Sequence, residues 1–260
     1  MKIAKYDTDL TDAQWNFLEP LLPKARSRGR PPTDRRRVIN AILYMIKSGI
    51  QWRLLPANFP PWQTVYHIFR RWTLEHTWEA LNARLRAYVR QACGKRCRPT
   101  AAILDSQSVK SDSHGGTVGY DAAKRIKGRK RHLLVDTLGL VLGVVVTAAS
   151  VPEREGAQTL LGRALNWLAW LRLLWVDGGY SGPDFAQWVR GLRPKLEVEV
   201  VKRCDDASGF KVLPRRWVVE RTFGWLMRHR RLVRDYEQSE TSAQAWIYIA
   251  MTRIQLRRLA

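Results

Sequence analysis

The chain has 260 residues and 45% hydrophobic content, enough for one large or two modest domains with a real core, so global disorder is excluded. Its 45 Lys and Arg against 23 Asp and Glu leave a net charge of +22, which points to a polyanionic partner. No apolar stretch reaches the roughly 18 residues a spanning helix needs, and the opening MKIAKYDTDL lacks a signal-peptide core, so the chain is expected in the cytoplasm and off the membrane.

The first hundred residues read as helical. LTDAQWNFLEPLLP starts at Thr11 or Asp12 as N-cap, ends at Pro23, and puts Trp15, Leu18 and Leu22 on one face. KARSRGRPPT is a basic Pro/Gly loop. Thr33 or Asp34 then caps a helix with the buried stripe Val38, Ile42, Met45 and Ile46, stopped by Gly49. A proline-rich connector leads to a long helical pattern over 62–91, with Val65, Ile68, Phe69 and Trp72 inward. Three cysteines, Cys93, Cys97 and Cys204, lack the spacing of a disulfide framework or a zinc site and read as reduced thiols.

The pattern changes near Pro99, dividing a helical region, 1–98, from an α/β region, 99–260. TAAILDSQSV has the apolar run of a central strand, and a glycine- and charge-rich segment, 111–131, follows it. RHLLVDTLGLVLGVVVTAAS predicts two strands joined by a tight turn, with Asp136 as a turn residue. A helix over 153–171, the strand LRLLWVD, the helix GPDFAQWVRGLR and the alternating strand KLEVEVVKR come next. Two tail helices are expected, over 215–231 and 241–259. This order describes a mixed sheet flanked by helices.

Three acids stand out in this basic chain: Asp105 and Asp177, each ending an apolar strand, and Glu220 in a helical pattern among arginines. Functional groups gather where the strands of open sheets end, so neighbouring strands would bring the two aspartates side by side. Glu220 would reach them from a helix packed across the sheet, with Val219, Phe223 and Leu226 as its apolar stripe. Clustered carboxylates raise one another's pKa, and a divalent cation removes that conflict. An oxygen-only ligand set suits Mg2+ or Mn2+, and two such ions can flank a phosphodiester. Taken singly, each aspartate reads more often as a turn or cap residue than as a catalytic one, and Glu220 more often as a solvated partner of Arg216.

At these residues the chain resembles the DDE transposases of the insertion-sequence-five family. LTDAQWNFLEPLLP, GRPPTDRRRVINAILYMIKSGIQWRLLP and PPWQTVYHIFRRW are similar to the family's N-terminal region; DSQSVK, KGRKRHLLVDTLGL, VDGGYSG and RRWVVERTFGWL are similar to its catalytic region. The resemblance implies a ribonuclease-H-like fold with Asp105, Asp177 and Glu220 as the catalytic, metal-binding triad, and two Mg2+ or Mn2+ ions per site. It also implies binding of double-stranded DNA at element ends and target, cleavage followed by strand transfer, a dimer or larger assembly at synapsis, and action at the bacterial nucleoid. The chain departs from the family signature where a Tyr and a Lys are expected: Leu213 and Met227 stand there, with Arg228 next to the latter. A metal-dependent nuclease without strand transfer and a DNA-binding regulator of the same fold are the alternatives.

Candidate phosphate contacts come from three basic runs: Arg28 and Arg30; Lys124, Arg125, Lys127, Arg129, Lys130 and Arg131; and Arg228, Arg230 and Arg231. Arg216 and Arg221, beside the glutamate, complete the set. The helical region reads as a possible helix-turn-helix whose helix from Trp62 presents Gln63, Thr64, His67 and Arg71 to bases. Trp52 or Trp225 is a further candidate for stacking on an unpaired base.

Overall fold

The structure is a computed structural model that describes residues 6–23, 33–112, 116–201 and 216–260. Its internal contacts gather into two compact units, one of Met1–Lys95 with Leu226–Arg234 and Thr241–Ala260, the other of Arg96–Trp225 with Asp235–Glu240.

The first unit is helical. Thr11 and Gln14 form a capping box that starts α1 (Asp12–Leu18). Asp34 caps α2 (Arg35–Ser48), whose buried stripe includes Val38, Ile42, Met45 and Ile46, and Gly49 ends it in the left-handed region at φ 76°. The long helical pattern over 62–91 is two helices, α3 (Trp62–Leu74) and α4 (Thr77–Ala92). The break falls at His76, with φ 53°, and Trp72 packs edge-on against Trp78 at 5.2 Å across the corner. The first tail helix is also divided: α7 (Trp217–Met227) stops before His229, whose extended backbone precedes the short α8 (Arg230–Val233). The last helix, α9 (Glu240–Leu259), contributes Trp246, which stacks on Phe69 at 4.7 Å and meets Trp52 at 5.8 Å. Helices from both ends of the chain thus share one aromatic core, worth roughly 0.5–1.5 kcal/mol per ring pair beyond the area it buries.

The second unit is built on a six-stranded mixed sheet. Its strands are β1 (Ala101–Lys110), β2 (Gly119–Asp121), β3 (Ile126–Asp136), β4 (Val141–Ala148), β5 (Leu173–Val176) and β6 (Glu197–Val200). The order is β2-β3-β1-β5-β6, with β4 also paired to β3. The β1–β3 and β3–β4 pairs are antiparallel, while β1–β5 and β5–β6 are parallel. The helices α5 (Glu153–Ala164) and α6 (Pro183–Leu192) carry Leu160, Leu161, Phe185 and Val189 into a core with Leu104, Leu134 and Leu174. This mixed sheet with flanking helices is the ribonuclease-H-like fold expected.

The glycine- and charge-rich segment 111–131 is in part regular structure. Residues from Ile126 onward are strand β3, and Arg129, Lys130 and Arg131 are buried within it. Gly128 permits this close pairing, because a β-carbon there would sit 2.0 Å from the Val109 carbonyl. Arg129 donates to the Thr117, Glu237 and Gln238 carbonyls and pairs with Asp235 at 3.4 Å, with both side chains almost fully enclosed. Lys130 donates to the Val151 carbonyl and faces Asp121 at 3.5 Å.

Candidate active site

Asp105 stands in the middle of β1 and not at its end, because antiparallel pairing with β3 continues to Lys110. On its other edge β1 does lose its partner: the parallel ladder with β5 runs only from Ala101↔Leu173 to Ile103↔Trp175. Carried two residues further, that register sets Asp105 level with Asp177, the residue that follows β5. Asp105 Oδ1 accepts the Ser106 amide at 2.7 Å. Its pKa is pushed up to about 6, first by burial and then by the charges of Asp177 and Glu153, against the opposing effects of the Ser106 amide and Arg216. Asp177 Oδ1 accepts the Gly179 amide at 2.9 Å and so caps the turn Gly178–Tyr180.

Glu220 is positioned by the way α7 meets the β3–β4 turn. Asp136 closes that turn by accepting the amides of Leu138 and Leu140, each at 2.9 Å, and is fully buried. From α7, Thr222 donates to the Gly139 carbonyl at 2.9 Å and Arg221 to the Leu138 carbonyl at 3.2 Å. Gly139 has φ 80°, and a β-carbon there would meet Thr222 Oγ1 at 2.7 Å. Val219 and Phe223 face inward, and the Glu220 side chain is half exposed. An open cavity of about 330 Å³ is lined by Asp105, Ser106, Gln107, Ser108, Lys124, Glu220 and Phe223. The Arg216 guanidinium lies 3.5 Å from Asp177 and 3.6 Å from Glu220. Glu220 therefore shares a cavity with Asp105 and a cation with Asp177.

Among the described residues no three Asp, Glu, His or Cys side chains close tightly enough to form a ready metal cage. The chemistry of the groups still fits a hard divalent cation. The donors are oxygens, Asp105 is short of countercharge, and Gly179 leaves open the space beside Asp177. Arg216 meanwhile supplies positive charge between Asp177 and Glu220. His132 is no candidate base: it is buried against Thr147, and burial lowers its pKa to about 4.

Sequence reasoning missed two neighbours of the acids, Glu153 and Tyr180. Glu153, the first residue of α5, accepts from Ser106 Oγ at 2.9 Å and Lys124 Nζ at 2.8 Å. Tyr180 is buried, and among the described residues its hydroxyl makes no well-formed hydrogen bond, with Ser106 beside it. An acid opening a helix after a proline looks like ordinary dipole pairing, so nothing in the sequence flagged Glu153. The tyrosine in VDGGYSG was visible only as part of the motif.

The basic candidates divide by exposure. Gln63, His67 and Arg71 lie on the exposed side of α3, and Thr64 is half-buried. Lys124, Arg125, Lys127, Arg228 and Arg230 are exposed. Arg129, Lys130 and Arg131 spend their charges inside the sheet unit. Arg221 lies between the rings of Trp217 and Trp225 at 4.3 and 4.5 Å. Arg231 is buried, 4.5 Å from the Trp246 ring, and donates to the Ile50 carbonyl. Trp52 packs in the aromatic cluster with Phe69 and Trp246, and Trp225 serves as a platform for Arg221. Arg28, Arg30, Leu213 and Cys204 lie outside the described residues; Cys93 and Cys97 are exposed free thiols.

Residues 96–254 match the family described as "Transposase DDE domain", and residues 10–82 match "Putative transposase of IS4/5 family". The chain is 31% identical over 117 residues to the insertion element IS402 uncharacterized 16.2 kDa protein of Burkholderia cepacia, covering 42% of this chain and 78% of that protein. It is 30% identical over 120 residues to the putative transposase for insertion sequence element IS402 of the same organism, covering 43% of this chain and 54% of that protein. It is 33% identical over 64 residues to uncharacterized protein y4sN of Sinorhizobium fredii, covering 24% and 51%. The chain thus spans about half the length of the latter two relatives. Since the first match covers more than half of its length, and its acids stand on a ribonuclease-H-like sheet, the chain belongs to the DDE-domain transposase family.

Proposed function

We propose that this chain binds the terminal inverted repeats of an insertion sequence and catalyses metal-dependent strand cleavage and strand transfer, using Asp105, Asp177 and Glu220. The observation that carries this reading is the β1–β5 register, which sets Asp105 level with Asp177, together with the Arg216 guanidinium that Asp177 shares with Glu220. Mg2+ or Mn2+, two ions per site, would be held by the three carboxylates and would supply activation of a hydroxyl nucleophile and stabilisation of the leaving oxygen. Asp105 and Asp177 are fixed by backbone hydrogen bonds on strand and turn, and Glu220 by the α7 contacts with the hairpin. Lys124, at the rim of the shared cavity, is suited to hold a phosphate beside the acids.

Duplex DNA is the proposed partner, contacted through the exposed cations Lys124, Arg125, Lys127, Arg228 and Arg230, with Gln63, Thr64, His67 and Arg71 as base readers. Two element ends must be held together, so the working species is at least a dimer. No described helix is long and apolar enough to cross a membrane, which suits action on cytoplasmic DNA.

The test is Asp177→Asn with a duplex carrying the element's own terminal repeat. DNA binding should survive and cleavage should disappear. Joined product from a pre-cleaved end separates a transposase from a plain nuclease. An Asn variant that still cuts would refute the site assignment.

A further inference from the structure

Glu153 lies at the acidic site with a geometry that a surface ion pair does not explain. Its Oε1 takes both the Ser106 hydroxyl and the Lys124 ammonium. Its Oε2 turns toward Gly179: a β-carbon on that glycine would lie 3.2 Å from Glu153 Oε2 and 3.0 Å from Asp177 Oδ1. Two carboxylates from different elements therefore border one small space, kept open by the missing side chain. Each has a cation on its far side, Lys124 at Glu153 Oε1 and Arg216 at Asp177 Oδ2, so the oxygens that border the space, Glu153 Oε2 and Asp177 Oδ1, are left facing it.

Tyr180 supplies a second and independent observation. The residue is 1% exposed, and among the described residues its hydroxyl makes no well-formed hydrogen bond, with the Ser106 side chain as its polar neighbour. Its ionisation is disfavoured first by burial and then by the nearby charges of Asp105, Glu153 and Asp177, while the Ser106 hydroxyl beside it acts the other way. Ser106 gives its own proton to Glu153. A buried hydroxyl without a good partner is destabilising, and native sites resolve it with a water or an ion. The ordinary role of an acid at a helix start does not require Glu153, since Glu155 also stands in the first turn of α5. Nor does its ion pair: Glu153 and Lys124 are 28% and 39% exposed, and pairs so exposed contribute little.

We propose that Glu153 is a fourth carboxylate of the cation site, acting with Asp105 and Asp177 across the space above Gly179, and that the Tyr180 hydroxyl is a donor to that assembly. This rests on the carboxylate reading above. Lys124 has two consequences there. It holds Glu153 in place, and it competes with the cation for the same acid.

The test is Mn2+ binding to the full chain, followed by the electron paramagnetic resonance signal of free Mn2+. Glu153→Gln keeps acceptors for Ser106 and Lys124 and is expected to weaken Mn2+ binding at least tenfold. Tyr180→Phe should weaken it several-fold, as loss of a supporting donor does. Lys124→Gln should tighten it, because Glu153 is released; a purely structural Glu153 would give no change or the opposite sign. This variant also keeps the proposal falsifiable should Glu153→Gln fail to fold. Wild-type Mn2+ affinity in Glu153→Gln, beside lost binding in Asp105→Asn, would overturn this inference alone. Absence of Mn2+ binding by the wild type would overturn the carboxylate reading beneath it.

Discussion

Replacing Asp105 by Asn should disable the site and stabilise the fold, with a pH dependence fixed by the position of the carboxylate. The side chain goes from an unfolded value near 3.8 to about 6 in the folded chain, chiefly through burial. A raised carboxyl pKa contributes stability that is complete below pH 3.8 and lost as pH rises through about 6. At about 1.36 kcal/mol per pH unit of difference, ionised Asp105 costs the fold roughly 3 kcal/mol at pH 7.5. Asn can still accept the Ser106 amide at Oδ1, so the variant removes the charge and keeps the hydrogen bond. Urea unfolding in EDTA, run on both proteins between pH 4 and pH 8, measures this directly. The two should be close at pH 4, and the Asn variant should gain stability steadily above it, by about 3 kcal/mol at the top. A difference that does not vary with pH, or an Asn variant less stable at pH 8, would refute the desolvated-carboxylate reasoning.

Arg129→Met should cost about 3–5 kcal/mol of stability by leaving Asp235 charged and enclosed, and the slope of log affinity for DNA against log salt should not change. Lys127→Gln, at an exposed position, should do the reverse: little effect on melting, and a slope shallower by about 0.9. Gly128→Ala should lower the melting temperature sharply, since the new β-carbon meets the Val109 carbonyl and the Ser111 amide on the neighbouring backbone; overpacking of this kind costs about 1–3 kcal/mol. Gly49→Ala should cost about 1–2 kcal/mol by thermal unfolding, because its φ of 76° disfavours a side chain and Arg230 Cβ would stand 3.1 Å away.

The strands and most helices were legible because their patterns are local. The buried stripe of α2, the hairpin turn at Asp136 and the alternation in β6 each lie within a short window of sequence. Asp105 and Asp177 were visible as acids after apolar runs, yet the β1–β5 register that makes them neighbours depends on a pairing between segments about seventy residues apart. The basic run KGRKRH shows the converse. Composition records its charge, but the partner that buries Arg129 is Asp235, 106 residues further along. A run of cations therefore carries no strand signature although it is the start of β3. The long helix over 62–91 misled for a related reason: helical spacing resumes directly after the break at His76, and the Trp72–Trp78 contact across that corner is not visible as a pattern. Glu153 was hidden because its helix-start position has an ordinary explanation.

The helical unit is begun first and completed last. A ribosome has to finish the final twenty-residue helix before Trp246 can reach Phe69 and Trp52, so the early helices wait for their aromatic partner through the whole synthesis of the sheet. A fragment cut after Lys95 would carry that gap permanently; joining the Glu240–Leu259 segment back to it through a short linker is the natural way to study the early helices in isolation.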